Sequence, residues 1–178
     1  RATPLSAEMA DYAATCFPPG RPTIEAAIDL TRRVYDEFDF DPRATDISTP
    51  ISVVLRKKRG VCQDFAHLTL ACLRAHGVPA RYVSGYILTR PPAGQPKLQG
   101  ADASHAWVSV WSPETDWVDL DPTNGLVVAD EHITIAYGRD FYDVSPLTGV
   151  LLGGGSHTVQ VSVDVSERTG SDERRPQK

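Results

Sequence analysis

Apolar positions follow a helical rhythm up to about residue 77 and a strand-like one beyond it. Ser6 to Ala14 is compatible with a helix, which Pro18, Pro19 and Gly20 stop and turn. Thr23 is placed to cap a second helix, with Ala26 or Ala27, Leu30, Val34 and Phe38 at helical spacing through about Glu37. Thr49-Pro50 to Lys58 reads as a short helix that Arg59-Gly60 breaks. From Cys62 the spacing predicts a buried helix over 62–76. Phe65, Leu68, Thr69, Cys72 and Leu73 recur every three or four residues, Gly77 supplies a C-cap and Pro79 prevents continuation. Downstream, Arg81 to Leu88, Ala106 to Trp111 and Trp117 to Leu120 read as strands, with a Pro-, Gly- and Gln-rich loop at 91–103. A last, half-buried strand is expected from His157 to Val165, with Val159, Val161, Val163 and Val165 on one face. Residues 166–178 are polar, charged and aperiodic, which predicts a disordered tail. Helices first and antiparallel strands second indicate an α+β fold in one domain over 1–165, not an alternating doubly wound sheet.

Composition narrows the function classes. The 178 residues include 18 Lys and Arg against 23 Asp and Glu, a net charge of −5, which weighs against a general nucleic-acid binder. A chain of this length hides roughly 70% of the surface its unfolded form exposes, so it needs no metal or disulfide to hold a core. Cys16, Cys62 and Cys72 are an odd and sparse set, which argues for a reducing compartment, with the cytoplasm as the expected location. No stretch approaches the roughly 18 consecutive apolar residues of a membrane span, and no signal-peptide pattern opens the chain, so no membrane partner is expected. The start at Arg1 suggests a piece of a longer protein.

Cys62 follows a glycine, opens a helix and lies just after Arg56, Lys57, Lys58 and Arg59. Unpaired backbone N–H groups and the positive end of the helix dipole favour thiolate over thiol there. A free cysteine is also read as a small buried hydrophobe, and position alone does not decide between the two. The hairpin adds a second cluster. In His105 to Trp111 and in Trp117 to Asp121 the odd-numbered residues share a face, because side chains alternate along a strand. If Trp111 opposes Trp117, Asp121 lies one diagonal step from His105; if Trp111 opposes Thr115, His105 faces Asp121 directly. Either register brings imidazole and carboxylate within the approximate 4.5 to 8 Å reach of cross-strand neighbours. Such a carboxylate fixes the imidazole tautomer for proton transfer, or serves as a structural hydrogen bond.

Other candidates carry less. Cys72 and His76 have the i, i+4 spacing of a metal pair but lack two further ligands, so no metal and no cofactor are expected. His67 lies on the same helix, while His132 and His157 show no partner pattern and are expected at the surface or at strand ends. Asp64 in the first helical turn is assigned a structural role, with Arg81 as the expected partner. Asp36, Glu37, Asp39 and Asp41 read as a solvated helix end, because the glycine and distal glutamate of a calcium loop are missing. Gly153-Gly154-Gly155 reads as a flexible connection, not a phosphate loop.

The motifs Gly60-Val-Cys-Gln-Asp-Phe-Ala-His67, Gly77-Val-Pro-Ala-Arg-Tyr-Val-Ser-Gly-Tyr86, His105-Ala-Trp107 and Asp121-Pro-Thr123 resemble the transglutaminase-like superfamily in its bacterial branch. The likeness continues through Tyr137 to Asp143 and Pro146 to Gly149, and covers about residues 20–165. It implies a papain-like core in which the cysteine heads a central helix packed on an antiparallel sheet. It also implies a triad with Cys62 as nucleophile, His105 as general base and Asp121 as orienting acid. The activity implied is thiol-dependent acyl transfer on a protein or peptide substrate, with hydrolysis favoured. Glutamine–lysine cross-linking and a silent peptide-binding scaffold are the alternatives. Animal members use a tryptophan ahead of the cysteine to stabilise the oxyanion, and here no tryptophan precedes Trp107. The Cys62 N–H with Gln63, Tyr82 or Trp107 then stands in its place. Bacterial relatives often carry a β-rich segment before the core, which is expected upstream of Arg1. The loop at 91–103 is expected to border the cleft as a flap.

Overall fold

The computed structural model describes residues 3, 6–89, 104–146, 149, 152–154 and 161–166. The Ser6 side chain accepts from Met9 N and opens helix α1 (Ala7–Ala13), which a 3-10 turn over Ala14–Cys16 closes. Helix α2 (Thr23–Glu37) starts one residue earlier than a Thr23 cap requires. Pro22 takes the cap position, so Thr23 lies inside the first turn. Strand β1 (Asp39–Phe40) pairs in parallel with β2 (Arg59–Gly60), and helix α3 (Ile51–Lys57) lies between them in the chain. Lys58 adopts the left-handed conformation at φ 55°, which ends α3 and turns the chain into β2. Helix α4 (Cys62–Ala75) follows at once.

Every residue from Asp64 to Leu73 is buried, so α4 is an interior helix and not an amphipathic surface one. It packs on strands β3 (Ala80–Ile87) and β4 (Ser104–Ser112) and is flanked by the first three helices. Its Phe65, Leu68 and Leu73 share one core with Tyr82, Ala106, Val108, Val110 and Leu120 of the sheet. Strands β5 (Asp116–Asp121), β6 (Leu126–Val127) and β7 (His132–Gly138) complete a five-stranded antiparallel sheet in the order β6-β5-β4-β3-β7.

Residues 128–131 alone join the two edge strands of that sheet. Four strand spacings of a flat sheet measure about 19 Å. The connection, stretched fully, reaches about 18 Å. The sheet is therefore curled, and its curl brings the start of β7 toward the end of β5. Gly85 sits inside the curl. A Cβ there would lie 2.2 Å from the Ile133 carbonyl oxygen and 2.4 Å from the Trp107 ring. Gly85→Ala is therefore expected to lower stability by about 1–3 kcal/mol in denaturant titration, as backbone and indole are forced apart.

Two further expectations fail. Asp64 does not meet Arg81. Its Oδ2 accepts from Val61 N at 2.9 Å and from Thr45 Oγ1 at 2.6 Å, while the Arg81 guanidinium lies 3.9 and 3.7 Å from the Trp117 and Tyr137 ring centres. The described part of the expected last strand, 161–166, holds one bridged position at Val163, with Val161 77% exposed and Val165 9% exposed. Those valines do not form one buried face. The flap at 91–103, residues 147 and 148, the first part of the expected last strand (157–160) and the tail from 167 lie outside the described residues. No helix among the described residues is long and apolar enough to cross a membrane.

Candidate active site

The start of α4 is built around Asp64. Its carboxylate binds the Val61 N–H and so holds the turn that presents Cys62, and Gly60 leaves room for it, since a Cβ there would lie 2.7 Å from Asp64 Oδ2. Cys62 is partly exposed at the first position of the helix. The other two thiols are buried, and burial, reinforced by nearby Cys16, pushes the Cys72 thiol up to about 12.

Trp111 opposes Trp117 and Val108 opposes Leu120, so the hairpin takes the first of the two registers. Asp121 thus lies diagonally from His105, and its Oδ2 accepts from His105 Nε2 at 2.7 Å. The carboxylate is wholly buried. Its Oδ1 accepts from the backbone N–H of Thr123 at 2.9 Å and of Asn124 at 3.3 Å, and its Oδ2 from Asn124 Nδ2 at 2.7 Å. Burial alone raises its proton affinity, but the hydrogen bonds from His105, His132 and Asn124 outweigh this and hold it well below the usual carboxylate range. His105 is moved the other way. Burial disfavours its charged form, and the hydrogen bond to Asp121 together with the nearby Cys62 sulfur overcomes that and carries it from 6.5 to about 9. Nε2 is committed to Asp121, so Nδ1 is the ring nitrogen left for the thiol.

His132 departs from expectation. It opens β7, yet its side chain is only 2% exposed and its Nε2 lies 2.9 Å from the same Asp121 oxygen. His67 and His76 stand outside this group. His67 Nε2 accepts from Phe141 N at 3.1 Å, and burial lowers the imidazole to about 4. His76 is hydrogen-bonded through Nε2 to the Ala10 carbonyl at 2.9 Å and stacks on Phe17. His157 lies outside the described residues.

One cluster among the described residues could hold a metal ion. Ligand atoms of His105, Asp121 and His132 lie within 4.8 Å of one another. A divalent ion there would replace the two hydrogen bonds that now join them. Of the three oxyanion partners expected, Trp107 is occupied. Its fully buried indole N–H donates to Asp119 Oδ2 at 3.1 Å, which leaves Gln63 and Tyr82. Tyr82 is close enough for the Cys62 charge to add to the burial that raises its hydroxyl.

The two displaced histidines set opposite pH limbs. His67 binds its proton less readily folded than unfolded, so its contribution declines as pH falls from 6.5 to about 4. His105 binds its proton more readily folded, so its contribution is full below 6.5 and is lost as pH rises through about 9. Thermal melts across this range are expected to show both declines. His67→Gln, which keeps an acceptor for Phe141 N–H, flattens the acid limb, and His105→Ala flattens the alkaline one.

The profile of the transglutaminase-like superfamily matches residues 10–122. An uncharacterised protein of Mycobacterium tuberculosis is 47% identical over 160 residues, covering 87% of this chain and 51% of its own length. The chain thus spans about half the length of the curated relatives it matches in mycobacteria. A protein-glutamine gamma-glutamyltransferase of Pseudomonas aeruginosa is 36% identical over 112 residues, or 58% of this chain and 16% of that one. Among solved structures, a candidate cysteine protease of Cytophaga hutchinsonii superposes with a TM-score of 0.65 at 26% identity, over 81% of this chain and 48% of its own.

Proposed function

The chain belongs to the transglutaminase-like superfamily, and from that premise we propose that it is a thiol-dependent acyl-transfer enzyme acting on peptide or glutamine-type amide bonds. The observation that carries this reading is the buried His105–Asp121 pair, Nε2 to Oδ2 at 2.7 Å, in the neighbourhood of the partly exposed Cys62 that heads a buried helix. Cys62 Sγ attacks the amide carbonyl, and the thiol proton passes to His105. The tetrahedral adduct collapses as the C–N bond breaks and His105 returns the proton to the departing amine. A thioester remains on Cys62. Water, deprotonated by His105, then attacks it, the S–C bond breaks, and a carboxylic acid leaves as the thiol reforms. Asp121 holds the ring in the tautomer this exchange needs and stabilises its protonated form. The Cys62 backbone N–H is one oxyanion donor, and a second such donor is worth about 3–4 kcal/mol.

Water as the second substrate is favoured by the likeness to the Cytophaga candidate protease, which spans most of this chain. A primary amine would take its place in a cross-linking enzyme, a reading favoured by the identity with the Pseudomonas glutamyltransferase. A glutamine-containing peptide incubated with a primary amine separates them by mass spectrometry. The expected products are hydrolysed glutamine or cleaved peptide, absent in Cys62→Ala. A dominant amine adduct would make the chain a transglutaminase proper. Peptide bound with equal affinity by wild type and Cys62→Ser, with no product, would make it a scaffold.

A further inference from the structure

We propose that His132 is a positioning residue of this site, donating its Nε2–H to the Asp121 oxygen that receives His105 and locking the carboxylate in the orientation His105 needs. The catalytic meaning of that role rests on the acyl-transfer reading; the hydrogen-bond arrangement does not.

Asp121 Oδ2 accepts from His105 at 2.7 Å, from His132 at 2.9 Å and from the Asn124 side chain at 2.7 Å. The remaining two donors, the backbone N–H groups of Thr123 and Asn124, come from the turn that directly follows Asp121, as does the Asn124 amide. Groups on that turn move with the carboxylate and cannot fix it relative to β4. Apart from His105 itself, His132 is the donor to Asp121 among the described residues that comes from a separate strand, β7. It ties the end of β5 to the far edge of the curled sheet.

The ring is in turn fixed. The Trp107 indole meets it edge-on with 5.1 Å between centroids, and that indole is anchored to Asp119 through its N–H and fits over the space Gly85 leaves open. His132 Nδ1 is buried without a hydrogen-bond partner among the described residues. Because Asp121 accepts from Nε2, the neutral ring carries its hydrogen there and an unpaired lone pair at Nδ1. An apolar side chain would fill this space without that unpaired nitrogen, so the bond to Asp121 is what the imidazole supplies that packing does not. The titratable groups facing Asp121 are His105 from β4 and His132 from β7, with Cys62 of α4 beyond His105 and Asp119 beyond Trp107.

The test is the imidazole titration of His105, followed by NMR in wild type, His132→Met, His132→Asn and His132→Gln. Met fills the site without a donor, and the Asn amide falls short of Oδ2, so the two remove the bond in different ways. The Gln amide N–H reaches about as far as the histidine one. In wild type His105 holds its proton to about 9. In the Met and Asn variants the His105 titration departs from wild type by about tenfold in proton affinity, and in the Gln variant it stays within about twofold of wild type. On a verified substrate kcat falls with KM unchanged in Met and Asn and recovers in Gln. A wild-type titration in Met or Asn, or an equal loss in all three variants, overturns the proposal. Failure of the acyl-transfer reading looks different: the His105 titrations follow the expected order while wild type turns over nothing.

Discussion

Cys62→Ala is expected to lower turnover by about ten-thousandfold or more while the fold stays intact. In the proposed mechanism the side chain supplies the attacking atom, and no other thiol can stand in, because Cys16 is 6% exposed and Cys72 is fully buried. Structure should survive because Cys62 is partly exposed and the turn before it is held by Asp64, not by the sulfur. A change at such a position costs about 0.5 kcal/mol, or a melting shift of about 2 °C in a chain this size. The substitution also removes one of the two groups that raise His105, so the His105 titration should move down from about 9. Retained turnover on any verified substrate would sink the mechanism.

Asp121→Ala is expected to be the most damaging single change to the fold within the site. It leaves His105 Nε2, His132 Nε2, the Asn124 amide and two backbone N–H groups without their acceptor in a buried place. Breaking a buried, hydrogen-bonded charge in this way costs about 3–5 kcal/mol, read as a lower denaturant midpoint. Asp121→Asn keeps the volume and separates chemistry from folding. Its one oxygen serves only one side of the site, so its NH2 group meets either the two imidazoles or the backbone N–H groups of Thr123 and Asn124, and activity is expected to fall on the order of ten-thousandfold. The acid limb carries a further sign. A carboxylate held below its ordinary value of 3.8 contributes stability that is complete above that value and lost as pH falls beneath it. Asp121→Asn should therefore make the chain less sensitive to acid below about pH 4, and an unaltered acid limb would mean that this carboxylate carries no linked stability.

The helix over 62–76 and the hairpin carrying His105 and Asp121 were legible because both are local. Apolar spacing with Gly77 and Pro79 bounds α4 to within a residue of its observed end at Ala75, and strand parity brings His105 and Asp121 to one face in either register. His132 was not legible. Its partner is eleven residues away in the chain, and β7 pairs with β3, so only the curl of the whole sheet brings the two together. The alternation of Ile133, Ile135 and Tyr137 was an available strand signal, but those side chains are exposed, which conceals how deeply the first residue of the strand is buried. Trp107 was an open candidate for the oxyanion until its partner was known. Asp119, two residues from Asp121 on the same strand face, was in plain view but had no reason to be preferred. The Asp64–Arg81 pairing failed because two carboxylate bonds at the α4 turn satisfy Asp64 locally and two aromatic rings already hold Arg81.

The acyl-transfer reading requires that His105 activate Cys62. It is tested most directly by iodoacetamide alkylation between pH 5 and 9, mapped by mass spectrometry on wild type and on His105→Ala, with buried Cys16 and Cys72 as internal controls. Fast modification of Cys62 alone in the acid half of that range is expected, with loss of this advantage when His105 is removed. Equal reactivity of all three thiols, or a Cys62 rate unchanged in His105→Ala, would contradict it.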